Sequence, residues 1–217
     1  MNAMGDLRAL VAAYSATDPG RVGSVAVVGN APLAPSDARA DEIDAADLAI
    51  RVNSFVLDSP GRPRAQGHRA DVVLFNRLLR ATPEFFAGYA ARLYLLVEPM
   101  RMHGNRELWP TSWPPDLGLV PVPNREVTAP LSELLGVPWR EQRLAPTTGT
   151  MACYLALTLF PGADVAFTGF SFLDAPDQTR WQHQWGDSCR VGREHRIGSE
   201  AVLMRSWLES GQARFLR

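Results

Sequence analysis

The run Ser24–Gly29 (SVAVVG) restricts the fold of this chain more than any other segment. It is rich in Val and carries no charge, so it cannot alternate between core and water. Such a run is a strand buried on both faces, as strands of parallel sheets are. It ends in Gly29-Asn30, a strand-to-loop signal. Similar runs follow at Leu48–Val52, Asp71–Phe75, Leu93–Val97 and Asp164–Thr168. Helical patterns lie between them. Ser36–Ile43 starts at a candidate N-cap, Ser36, and Thr82 opens a helix with Pro83 at its first position. Thr128–Leu135 and the strongly apolar Thr147–Leu159 are helical, and a last helix runs from His195 or Gly198 to Glu209. Leu7–Tyr14 is a short amphipathic helix, and Ala213–Leu216 an edge strand. Met100–Pro123, rich in Pro and Trp, has no period and is predicted to be a long loop, and Asp174–Arg193 a polar irregular segment. This alternation predicts an α/β fold: one Rossmann-like domain over 1–217, with residues 1–20 as an N-terminal helix or extension. Its mostly parallel central sheet carries helices on both faces.

Composition excludes several classes. The 217 residues suit one α/β domain and bury a core without staples. The net charge of -1 gives no field for bulk nucleic acid or an anionic membrane. Every basic side chain is Arg. No stretch approaches the about 20 apolar residues of a membrane span, and Met1–Gly20 lacks the basic start and apolar run of a leader. The expected location is the cytoplasm, either free or peripheral to the inner membrane. Cys153 and Cys189 form no disulfide framework, and a bridge between them stays open.

Ligands on such sheets bind at the carboxyl ends of the strands. Polar clusters fall there: Gly29-Asn30, Arg51-Val52-Asn53 and Gly169-Phe170-Ser171. Gly permits close backbone approach, and Asn offers a donor and an acceptor for a base or phosphate. A plain strand-to-loop turn is the alternative at Gly29-Asn30, and a satisfied turn Asn the alternative at Asn53. There is no G-x-G-x-x-G and no Gly-Lys-Ser/Thr, so neither a standard dinucleotide site nor a Walker loop is present. Thr147-Thr148-Gly149 at a helix start exposes N–H groups suited to an anion or ribose, and also serves as an N-cap. His183 and His195-x-x-x-x-Glu200 share one polar segment. A neutral His takes a proton from a hydroxyl, and a protonated one stabilises a leaving phosphate; surface or capping roles remain the alternative. A zinc site on His183, Cys189 and His195 would need ligands separated by five residues each, unlike the usual tight pairs. Gly169-Phe170-Ser171-Phe172-Leu173 lacks the second Gly of a nucleophile elbow.

Order and spacing say more than any single cluster. Val25–Asn53 resembles the long sialylmotif of the eukaryotic-type sialyltransferases (glycosyltransferase family 29) at Val27, Val28, Gly29, Asn30, Glu42, Ile43, Asp44, Asp47, Arg51 and Asn53. Pro146–Phe170 resembles the short motif, His183–Gly186 takes the place of the third, and His195–Glu200 is similar to the very short motif. Together they span about one third of the chain. The resemblance implies a GT-A-like variant fold in a soluble bacterial member. It implies inverting, metal-independent transfer of a sugar acid from a CMP-activated donor to a glycan or small hydroxyl acceptor, with no cofactor. His195 would be the general base, and His183 would contact the leaving phosphate. Asn30 and Asn53 would contact CMP. Thr147, Thr148 and Gly149 would line the nucleotide and sugar-acid site, and Gly169 and Phe170 would flank the ribose. Gly29, Arg51 and Glu200 carry over as binding-site positions. The third motif keeps only its His, with Trp185 or Asp187 as partial substitutes, and the family's motif cysteines are missing. Sialic acid, Kdo and related nonulosonic acids all fit the donor chemistry. Two other readings stay open: a non-catalytic nucleotide- or glycan-binding module, and a zinc-dependent hydrolase. Trp109 and Trp113 are expected on an acceptor sugar or as a packed lid. Arg62, Arg64, Arg69, Arg77 and Arg80 are expected to form a solvated face, with steering of an acidic glycan as the alternative.

Overall fold

The computed structural model describes residues 3–76, 80–97 and 113–217. Its helices are α1 (Ala3–Ala12), α2 (Asp37–Ala45), α3 (Pro83–Phe86), α4 (Thr128–Leu134), α5 (Trp139–Gln142), α6 (Thr148–Leu159) and α7 (Ile197–Glu209). Its strands are β1 (Ser24–Val28), β2 (Leu48–Val52), β3 (Val72–Phe75), β4 (Leu93–Leu96), β5 (Leu119–Pro121), β6 (Asp164–Thr168), β7 (Arg180–Gln182), β8 (Ser188–Arg190) and β9 (Arg214–Phe215). Seven strands form one sheet in the order β5-β4-β3-β2-β1-β6-β9, and every neighbouring pair is parallel.

Strand alternation sorts the apolar side chains onto two faces. Val25, Val27, Leu48, Ile50, Val72, Leu74, Leu93 and Leu95 join a core with Leu7 and Val11 of α1, Met151 and Leu155 of α6, and Met204 of α7. The intervening positions look the other way. Ala26 and Val28 pack with Ile43 of α2, while Val73, Phe75, Tyr94 and Leu96 pack with Phe55 and with Phe85 of α3. Both faces are therefore covered, which is why these strands read as unbroken apolar runs. Helix α6 is buried at Met151, Ala152, Cys153, Leu155, Ala156 and Leu159. Among the described residues, no helix is long and apolar enough to cross a membrane.

From β1 the chain winds outward through β2, β3, β4 and β5, then returns to place β6 on the other side of β1. The connections leaving β1 and β6 thus diverge, and a crevice opens at the carboxyl ends of those two strands. The opposite end of β1 is pinned. The Asp47 carboxylate accepts from the N–H groups of Gly23 and Ser24 at 2.8 and 2.9 Å. Ser36 caps α2 by accepting from the Arg39 N–H.

Three expectations are corrected. The Met100–Pro123 loop ends in a strand, β5, which is short, only part-buried and closed by a proline, so it lacks the apolar signature of a core strand; residues 100–112, with Trp109, lie outside the described set. Asp174–Arg193 is not irregular throughout. It contains the antiparallel β7–β8 hairpin, whose residues are mostly exposed and therefore polar. Arg51 is not at the carboxyl edge of the sheet but inside it. Its side chain is fully buried and points to the same face as Ala49, away from Ile50 and Val52. There Nε and Nη2 donate to the carbonyls of Arg69 and Gln66 at 2.8 and 2.7 Å. Burial pulls this guanidinium down to about 10, while Asp44, Asp58 and Asp71 act in the opposite sense. Asp58 and Asp44 in turn accept backbone N–H groups of residues 65–67 and 68–69. Arg51 is thus the centre of the β2–β3 connection.

Arg51→Ala leaves the Arg69 and Gln66 carbonyls without these donors and opens a cavity in the buried connection, so it is predicted to lower unfolding free energy by about 3–5 kcal/mol. Urea denaturation measures this, and a variant within about 1 kcal/mol of the parent contradicts it.

Candidate active site

At the crevice, the loops after β1 and β6 touch. A Cβ on Gly29 would lie 2.3 Å from the Gly169 carbonyl oxygen, and one on Gly169 would lie 2.6 Å from that of Gly29. Gly169 also has φ +75°, in the left-handed region. The Ala31 N–H donates to the Gly169 carbonyl at 3.0 Å, which fastens the loops together.

Three neighbouring strands then end in asparagine. Asn30 follows β1, Asn53 follows β2 and Asn76 follows β3. Asn30 Nδ2 donates to the Val52 carbonyl at 2.7 Å. Asn53 adopts φ +53°, which Asn tolerates better than most residues, and its Oδ1 accepts from the backbone and side-chain nitrogens of Asn76, both at 3.2 Å. Across from them lies the start of α6. Thr147 caps it by accepting the Thr150 N–H at 3.2 Å. Thr148 and Gly149 form its first turn, where N–H groups lack helical acceptors and the dipole is positive. Gly149 has no room for a side chain, because a Cβ would lie 2.8 Å from the Phe170 ring.

The two histidines have different settings. His183 sits at the turn of the β7–β8 hairpin, stacked on Trp185 with ring centres 4.6 Å apart. Its Nδ1 lies 2.5 Å from Asp187 Oδ1. Partial burial works against the Asp187 charge, yet hydrogen bonds from Trp185 and His183 and the positive field of Arg80 hold its carboxyl below the usual range. Gln184 ties the turn to the β1 loop: its N–H donates to the Asn30 carbonyl at 2.9 Å, and its Oε1 accepts from Leu33 N–H at 2.6 Å. His195 lies two residues before α7, ahead of its N-cap residue Arg196. Its Nδ1 lies 2.8 Å from the Ala145 carbonyl oxygen, an acceptor only, so Nδ1 carries the proton and the neutral ring keeps its lone pair on Nε2. Glu194 Oε1 is 3.6 Å from Nε2.

These elements enclose a cleft of about 540 Å³. It brings together Gly29, Asn30, Asn53, Thr147, Thr148, Gly149, Gly169, Phe170, His183 and His195 from distant parts of the chain. Arg51 and Glu200 do not line it; Glu200 is buried behind the α6 start, where it accepts from Thr147 and Thr150. Sequence reasoning passed over Asn76 and Glu194 and named Arg80 only within the arginine face; all three line the cleft. The strand-end asparagine recurring in Leu74-Phe75-Asn76 was a signal for the first. Arg80 and Glu194 lie in connecting segments without such a mark. The expected arginine face is divided: Arg64 pairs with Asp41 and Asp44, Arg69 with Asp71, Arg62 is exposed, and Arg77 lies outside the described residues. Trp113 packs against Phe75, 5.3 Å between ring centres, as a core cover. Both cysteines are free thiols. Among the described residues, no three His, Cys, Asp or Glu side chains gather as a metal-ligand group, so His183, Cys189 and His195 do not form the zinc set considered from spacing.

No family model matches the sequence, and no curated protein does. Solved structures do match. One is the crystal structure of a mammalian sialyltransferase in complex with Gal-beta-1-3GalNAc-ortho-nitrophenol: 15% identity, 89% of this chain and 68% of that chain covered, TM-score 0.57. Another crystal structure of a mammalian sialyltransferase gives 15% identity, 99% and 79% coverage, and TM-score 0.58. This chain has the sialyltransferase fold. At this identity the likeness is one of backbone architecture, a GT-A-like Rossmann variant. In that sialyltransferase fold, the cleft lies at the topological switch point, between β1 and β6.

The Gly29–Gly169 contact is tested by Gly29→Ala. Its methyl must push two backbone loops apart, with a predicted stability cost of about 1–3 kcal/mol. Thermal and urea unfolding measure it, and an unchanged midpoint contradicts the contact.

Proposed function

We propose that this protein is an inverting, metal-independent glycosyltransferase. It moves a sugar acid (sialic acid, Kdo or a related nonulosonate) from a CMP-activated donor to a hydroxyl acceptor on a glycan or small molecule. The observation that carries this reading is the pair of differently held histidines facing one cleft beside a helix N-terminus and a row of strand-end asparagines.

Each part has a task in this reading. The start of α6 receives the donor's phosphate, where N–H groups and the helix dipole favour an anion. Asn30 and Asn53 hold CMP through amide hydrogen bonds, Gly169 and Phe170 flank the ribose, and Thr148 and Gly149 border the sugar acid. His183, bonded to Asp187 through Nδ1, directs its other nitrogen to the departing phosphate and donates a hydrogen bond there. His195 takes the acceptor proton on Nε2. The acceptor oxygen forms a bond to the anomeric carbon on the face opposite the phosphate. The bond from that carbon to the phosphate oxygen breaks, and its electron pair leaves with CMP. A single displacement inverts the anomeric centre. A monophosphate leaving group carries less charge than a diphosphate, so the α6 N–H groups and a hydrogen bond from His183 meet it without a metal ion.

CMP and CDP are predicted to raise the melting temperature, while UDP, GDP and NAD do not; the reverse pattern contradicts the nucleotide assignment. His195→Ala is predicted to lower transfer by about 10²-fold or more with CMP affinity retained. Near-parental transfer by this variant removes His195 from the base role. CMP binding without transfer or donor hydrolysis by the parent would leave a binding module.

A further inference from the structure

We infer that Glu200 is a positioning residue for His195, acting from outside the cleft by holding the Ala145–Thr147 segment whose carbonyl fixes the tautomer of the His195 ring. The inference rests on the reading of His195 as the general base, and it assigns a device that keeps the base in its working form.

Glu200 is fully buried in the first turn of α7. A buried carboxylate is costly unless hydrogen bonds meet its charge. Here three donors converge on one oxygen, Oε2. They are the Thr147 N–H at 3.0 Å, the Thr147 hydroxyl at 2.6 Å and the Thr150 hydroxyl at 2.5 Å. Each hydroxyl has one proton; the shorter contacts direct both to the carboxylate, with Thr147 Oγ1 also 3.0 Å from Thr150 Oγ1. The lone pairs of Thr147 Oγ1 are thereby left to accept the Thr150 N–H and cap α6. The second oxygen, Oε1, has no hydrogen-bond partner.

Two residues before Thr147, the Ala145 N–H donates to the Glu194 carbonyl at 2.9 Å, and the Ala145 carbonyl accepts from His195 Nδ1 at 2.8 Å. Pro146 joins the two ends with a fixed φ. The segment 145–147 is therefore gripped at one end by residues 194–195 and at the other by Glu200, all from the stretch that enters α7. The His-x-x-x-x-Glu spacing follows from this. His195 lies before the helix, Glu200 lies in its first turn, and together they bracket one short segment. If the Thr147 end is released, the Ala145 carbonyl is free to shift. Nδ1 then loses its acceptor, and the neutral ring can place its proton on Nε2, where it is useless as a base. A displacement of about 1 Å at a catalytic group costs up to about 10²-fold in rate.

The test uses the full chain with ¹⁵N-labelled histidine. Long-range ¹H–¹⁵N spectra report the neutral tautomer of each ring, and His195→Ala assigns the His195 signals. The parent is expected to show only the Nδ1–H form at His195. Glu200→Met removes every acceptor and is expected to give a mixture of tautomers. Its kcat should fall at least about tenfold, with the KM for CMP-sugar little changed. Glu200→Gln keeps one acceptor oxygen without the charge and should lie between the two, a partial rescue. If the Met variant does not fold, the Gln variant decides alone. A folded Gln or Met variant that loses thermal stability yet keeps the pure Nδ1–H form overturns the inference. The tautomer is read without substrate. A shifted tautomer in a protein that transfers nothing keeps the Glu200 role and sinks the transferase reading. Transfer with an unmoved tautomer does the opposite.

Discussion

Two glycine backbones in contact are the constraint on which the rest of the site depends. Gly29 and Gly169 close the ends of β1 and β6 at the one place where the chain reverses its direction across the sheet. Any side chain at either position would force the loops apart. Their contact sets how near Asn30 and Phe170 stand to each other, and Gly149 allows the Phe170 ring to lie against the first turn of α6. The cleft is thus defined by backbone approach first, and side chains are placed around it afterwards.

On that frame the electrostatics divide in two. One histidine is bonded to a carboxylate and stacked on an indole. The other is bonded to a neutral carbonyl, which fixes its proton without supplying a charge. One cleft therefore holds a group suited to meeting an anion and a group suited to accepting a proton. The supports are as specific as the groups. Gln184 anchors the hairpin that carries His183, and Asp187 supplies the acidic partner four residues beyond it.

Much of this was legible in the chain. The apolar runs at β1, β2 and β6 and the cap of α6 at Thr147 announced themselves, because burial on both faces and helix starts leave strong local signals. Strand β5 and the β7–β8 hairpin did not, since short exposed strands resemble loops. Spacing also could not tell a residue that lines the cleft from one that holds it up. Arg51 and Asn53 are two apart, yet one points into the protein and the other turns at the strand end with positive φ. Asp44, Asp47 and Glu200 carry part of the resemblance read from the sequence, and in the fold they accept backbone N–H groups away from the cleft. A motif of this kind records architecture together with chemistry, and only the folded geometry separates the two.

The central claim is that a CMP-activated sugar acid is the donor. Mass-spectrometric transfer assays with CMP-sialic acid and CMP-Kdo, run side by side on a panel of hydroxyl acceptors, test it most directly. Release of CMP with growth of a glycoside of inverted anomeric configuration from one of the two donors is the expected result. Folded protein that binds neither donor and releases no CMP from either would contradict it.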